Sequence, residues 1–88
     1  MEERILTADI IENFRKNLEL QEKSTSTIEK YIRDVKAFSA YTENAAITKE
    51  KVIAYKKYLG NNYAVRSVNS MLASINSLFS FLDWHDLR

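Results

Sequence analysis

Cysteine is absent from the 88-residue chain. That excludes a disulfide framework, a thiolate metal site and a thiol nucleophile. Proline is absent too, and glycine occurs once, at Gly60. A phosphate-cradling loop needs several glycines, and a sheet of tight hairpins needs Gly, Asn-Gly or Pro turns, so neither fits. The single histidine, His85, supplies neither a zinc site nor a Ser-His-Asp relay. No apolar run nears the roughly 20 residues of a membrane span, and no secretory leader pattern opens the chain. What is present is 45% hydrophobic, 28% charged and 11% aromatic, enough apolar material for one folded core. One domain is expected at this length. The exclusions leave a small, soluble, helical module, expected to be cytoplasmic, with no constellation for catalysis, a metal, a cofactor or a small-molecule substrate.

Net charge is only +1, but it is unevenly spread. Residues 1–22 hold six acids, among them Glu2, Glu3 and Asp9, against three bases. Residues 23–66 hold nine bases against four acids, and residues 67–88 one base against two acids. A basic middle between acidic ends hints at a polyanion-facing surface, although a mixed solvated surface gives the same count.

Apolar periodicity and start signals predict four helices, over about 7–22, 26–43, 48–59 and 64–83. In the first, Ile10, Ile11, Phe14 and Leu18 form one stripe, with Asp9 placed as its cap and Glu12 as its first-turn acid. Ser26-x-x-Glu29 reads as a capping box for the second, whose stripe is Ile28, Tyr31, Ile32, Val35 and Phe38. Thr48 caps the third, with Ile47 and Val52 spaced as a hydrophobic staple, and Gly60 is expected to end it in the left-handed conformation. The fourth carries Val65, Val68, Met71, Leu72, Ile75, Leu78, Phe79 and Leu82. Short connections at 23–25, 44–47 and 60–64 favour an all-α, compact four-helix bundle. The chain closes at Arg88 just after the fourth helix, which reads as a cut from a longer protein.

Two helix starts carry residues suited to nucleic acid. Ser24–Thr27 place hydroxyls, then Lys30, on the first turns of the second helix, where free N–H groups and the helix dipole attract phosphate. Plain capping asks for the same residue types. At the start of the fourth helix Arg66, Asn69 and Ser70 lie off the apolar stripe, and such side chains hydrogen-bond phosphates and base edges. Ser74, Asn76, Ser77 and Ser80 extend an uncharged polar face. That face, with Phe81–Trp84, suits the alternative reading of a helical protein–protein interaction module. Among the tyrosines, Tyr31 and Tyr55 fit core stripes and Tyr41, Tyr58 and Tyr63 fall half exposed; none has an activating base nearby. His85-Asp86-Leu87-Arg88 is expected to fray as a chain end.

Taken together, Ser24-x-x-Thr27-x-x-x-Tyr31-x-x-Asp34-x-x-x-Phe38, Thr48…Val52…Tyr55…Leu59 and Ser67-Val68-Asn69…Leu72…Ile75…Leu78-Phe79 resemble the N-terminal core-binding, SAM-like domain of tyrosine recombinases, the phage-integrase family. The likeness runs over roughly residues 5–84. It implies a DNA-binding domain that clamps one side of a recombination-site duplex during DNA integration or recombination, alongside other recombinase protomers. Catalysis in that family belongs to a separate C-terminal domain, so none of its catalytic residues maps here, His85 and Arg88 included. The resemblance places DNA contacts on Ser26, Thr27, Lys30, Arg66, Asn69 and Ser70. Glu29 and the near-zero net charge imply weak binding by this domain alone.

Overall fold

The computed structural model describes residues 4–43 and 45–88; Glu2 and Glu3 of the acidic first segment and Asn44 of the second connection lie outside them. Four helices follow in order, α1 Ala8–Leu20, α2 Thr25–Tyr41, α3 Lys49–Asn62 and α4 Val65–Phe81, then a short 3-10 turn at His85–Leu87. The described residues contain no strand. The described residues form an all-α, four-helix bundle.

The apolar stripes meet in one core. Phe14 and Leu18 enter from α1, Ile32, Val35 and Phe38 from α2, Val52, Tyr55 and Leu59 from α3, and Ile75, Leu78 and Phe79 from α4. Phe38 sits at its centre, its ring centroid 4.9 Å from that of Tyr55 and 5.9 Å from that of Phe79. The α4 stripe is narrower than its sequence pattern. Val65 is exposed, while Val68, Met71 and Leu72 are half-buried, because the first turns of α4 reach past the core.

The pairing of α2 with α4 sets the orientation that matters for function. Lys30 meets Ser70, Asp34 meets Ser74, and Phe38 meets Phe79. Residue numbers rise together along both helices, so α2 and α4 run parallel and begin at the same end of the bundle.

The helix ends depart from the sequence reading for identifiable reasons. The cap of α1 is Thr7, whose hydroxyl accepts the Ile10 N–H, while Asp9 sits in the first turn. The turn closing α1 uses Glu22 and Lys23, whose N–H groups reach Glu19 and Leu18 carbonyls, so the next residue, Ser24, caps α2 by accepting the Thr27 N–H. Ser26 is therefore inside the first turn, not at the cap. Thr48 does cap α3, and Ile47 and Val52 are both buried beside it as a staple. Gly60, by contrast, is an interior helical residue without positive φ. α3 continues to Asn62, whose side-chain amide donates to the Tyr58 carbonyl at 2.7 Å and satisfies a last-turn acceptor. The left-handed positions fall instead on acids: Glu22, Glu43 and Asp83, with φ of 58°, 54° and 63°.

A Cβ added at Gly60 meets nothing within 4 Å. Gly60→Ala should therefore stabilise the fold by about 0.5–1 kcal/mol, read as a raised urea midpoint, since alanine loses less backbone freedom in a helix. A left-handed Gly60 would give the opposite sign.

Both ends of the described residues are docked. Ile47 N–H donates to the Arg4 carbonyl, and the Arg4 guanidinium lies 2.7 Å from Asp86 and 5.6 Å from the Trp84 ring centroid. The Arg4 hydrogen bond holds the Asp86 carboxyl below the usual carboxylate range. Leu87 is buried, Arg88 donates to Ser80 Oγ at 2.7 Å, and Lys49 donates to the Arg88 carbonyl. The expected fraying of His85–Arg88 is thus overturned by a buried leucine that anchors the segment.

Burial, with a smaller push from the Asp34 carboxylate, drives the Tyr55 phenol up to about 12. An unfolded tyrosine ionises near pH 10. Between the two values the unfolded chain loses a proton that the folded chain retains, so this contribution is complete below pH 10 and is lost as pH rises toward 12. The loss should reach about 2–3 kcal/mol. Urea midpoints from pH 8 to 12 should show it, and Tyr55→Phe should remove that part of the decline.

Candidate nucleic-acid interface

Where α2 and α4 begin together they leave a groove of about 430 Å³, lined by Lys30, Arg33, Asp34, Tyr63, Arg66, Ser67, Ser70 and Met71. Arg33 also forms a wall of a second groove of about 320 Å³, with Arg15, Glu29, Ile32 and Lys36. A basic band thus crosses three helices, from Arg15 on α1 through Lys36 and Arg33 on α2 to Arg66 on α4. Arg33, Lys36 and Arg66 form no ion pair with another described residue, whereas Arg15 pairs with Glu12 at 3.4 Å and Glu29 offsets part of the charge.

The start of α4 adds to this potential. Thr7, Ser24 and Thr48 each cap their helix with a hydroxyl, but α4 begins at Ala64 with no side-chain cap. The N–H groups of Val65, Arg66 and Ser67 have no intrahelical acceptor and remain available to an outside one.

Lys30 has a different position from the one its sequence context suggests. Its ammonium is bound at 2.7 Å to Asp34 Oδ2, at 3.1 Å to the Ser70 carbonyl and at 3.2 Å to Ser74 Oγ. All three ammonium donors are thereby committed inside the protein. Ser74 is fully buried, not on the outer polar face, and donates to Asp34 Oδ2 at 2.7 Å. This Lys30–Asp34–Ser74 network fastens α2 to α4 at the groove, where Lys30 and Asp34 are themselves part of the lining.

Of the residues singled out in the sequence, Lys30, Arg66 and Ser70 come together in this groove. Asn69 is exposed on the same turn of α4 without lining it. Ser26 is exposed and Thr27 half-buried at the start of α2, with the Thr27 hydroxyl accepting from Ser24. Sequence reasoning missed Arg33, Tyr63 and Ser67, and Arg15 and Lys36 beside them. The signal for Arg33 was its position three residues after Lys30, adjacent on one helix face within the basic segment.

Among the described residues no cluster of three or more His, Cys, Asp or Glu side chains is placed to hold a metal ion. No helix among them is long and apolar enough to cross a membrane. Tyr55, with its phenol pushed up by burial, has the reverse of the activation a nucleophile needs.

No curated protein and no solved structure matches the chain. The family model described as phage integrase, N-terminal SAM-like domain, does match, over residues 10–86, a span holding all four helical stripes and both walls of the basic groove. The chain belongs to the family of phage-integrase N-terminal SAM-like domains.

Proposed function

We propose that this domain grips the duplex of a recombination site, as the DNA-holding part of a site-specific tyrosine recombinase whose cutting and rejoining residues lie in a separate domain. The observation that carries this reading is the pair Arg33 and Arg66, without ion pairs to described residues, on one groove beside the uncapped start of α4. Arginine forks and free helix N–H groups are both suited to phosphate oxygens. Ser67 and Ser70 add hydroxyl donors in the same groove.

With the backbone held there, Asn69 is the residue suited to read a base edge, with adenine its best partner. Ser26 and Thr27, at the parallel start of α2, are further phosphate donors in this arrangement. A second protein docking on the Ser/Asn face of α4 has less support, because Ser74 is buried and withdrawn from that face.

Titration of a labelled duplex at several salt concentrations tests the reading. Each phosphate contact contributes roughly 0.9 to the slope of log affinity on log salt. Arg33→Ala and Arg66→Ala should each flatten the slope by about that amount on every duplex. Asn69→Ala should preserve the slope and reduce discrimination against single-base changes. Unaltered slopes in both arginine variants would remove the groove from the interface.

A further inference from the structure

The basic groove has Tyr63 and Met71 in its lining. Both residues also line a neighbouring cavity of about 370 Å³ between α2 and α3, so the two hollows adjoin at these side chains. The second is walled by Tyr41, Tyr55, Tyr58 and Leu59 and has no carboxylate in its lining. Tyr55 is buried, whereas Tyr41, Tyr58 and Tyr63 are 39%, 44% and 47% exposed, a concentration of exposed aromatic surface in a small domain.

The rings of Tyr41, Tyr55 and Tyr58 are held in place by one another. The Tyr41 ring centroid lies 4.9 Å from Tyr55 and 5.2 Å from Tyr58, and Tyr58 stacks on Tyr55 at 6.1 Å. Aromatic neighbours restrict the exposed rings of Tyr41 and Tyr58, so less side-chain freedom is lost when a flat ligand lies against them. Adjoining hollows, one lined by arginines and the other walled by uncharged aromatic rings, have the two components of a single-strand site: cations for the phosphates and ring faces for the bases. An apolar peptide would use the tyrosines but leave the arginines without a partner.

We propose that these two adjoining hollows together take unpaired DNA nucleotides, with backbone phosphates at Arg33 and Arg66 and bases stacked on Tyr63, Tyr58 and Tyr41. The proposal rests on the duplex reading above and extends it to strands that are locally open. Base-paired DNA keeps its ring faces stacked inside the helix, so Tyr41 and Tyr58 serve the unpaired form alone.

The test uses the full chain, a labelled 12-nucleotide oligothymidine and a labelled duplex, each followed by fluorescence anisotropy. Tyr58→Leu and Tyr41→Leu should each weaken oligothymidine binding about tenfold and leave duplex affinity unchanged. Tyr58→Phe and Tyr41→Phe keep a ring face and should bind like the parent. Photo-crosslinking of the unmodified protein to an oligonucleotide carrying 5-iodouracil should label Tyr58 or Tyr41, which makes the result independent of any variant's folding. Oligothymidine binding indifferent to both leucine changes, or crosslinks confined to other residues, would overturn the proposal while duplex binding stands. Capture of an acidic peptide in the tyrosine hollow without oligothymidine binding would overturn it as well. Failure of the parent to bind either DNA would bring down the duplex reading itself.

Discussion

Phe38→Ala should cost about 3–5 kcal/mol and leave the domain largely unfolded. The ring is fully buried, touches aromatic partners from α3 and α4, and has no route to water through which the structure could relax. A domain of this size has only about 5–15 kcal/mol in total, at the lower end for a short chain. Urea unfolding followed by circular dichroism gives the value. Leu72 makes the contrast. Its place in the α4 pattern equals that of Phe38 in α2, and sequence alone assigns both the same cost of roughly 2–5 kcal/mol. Because Leu72 is half-buried, its truncation should fall at or below the lower limit of that range. Equal losses for the two would mean that the core is not centred on Phe38.

Lys30→Met should be nearly as damaging, at about 2–4 kcal/mol, although Lys30 belongs to no apolar stripe. Asp34 has a side-chain exposure of 8%, against 33% for Lys30. Removing the lysine leaves a buried carboxylate with the Ser74 hydroxyl as its remaining side-chain donor. Removing the carboxylate instead leaves an ammonium that can turn to water. Asp34→Asn, which retains an acceptor oxygen, should therefore cost about 1 kcal/mol. The ranking is the test, because a surface ion pair would give small and similar losses for both changes. Combining the two substitutions should cost less than their sum, since each removes what the other needs.

The consequence for DNA binding is that Lys30→Ala confuses two effects. It weakens the α2–α4 junction and alters the groove at once. Arg33 and Arg66, which make no ion pair with another described residue, are the cleaner probes. This departs from a sequence-level choice of Lys30 as a phosphate ligand whose loss spares the fold.

The helices and most of the core were legible from periodicity, because burial on one face requires apolar residues every three or four positions. The ends were less so. Three helices leave through left-handed Glu or Asp residues, with no glycine to mark the place, while Gly60, which resembles a stop, lies inside a helix. Two serines spaced two apart, Ser24 and Ser26, are equally good caps in sequence, and only the turn before them selects the first.

The candidate site divides the same way. The basic middle segment and the two helix starts pointed to the end of the bundle where Lys30, Arg66 and Ser70 line one groove. What pattern could not supply was which cations are already occupied. A clue was present: Asp34 falls three residues after Tyr31 and four before Phe38, on the apolar face. A carboxylate in that position requires a buried partner, and Lys30 is one turn away. The tyrosine hollow had no such clue, since Tyr41, Tyr58 and Tyr63 are brought together only by tertiary packing.

Amide mapping by NMR tests the central claim most directly. On addition of a duplex at low salt, shifts should concentrate on the first turns of α4, from Val65 to Ser70, and on α2 from Ser26 to Lys36. They should fade as salt is raised, because phosphate contacts release counterions. Shifts centred on His85–Arg88 or on the first turns of α3, with the starts of α2 and α4 unmoved, would contradict the account.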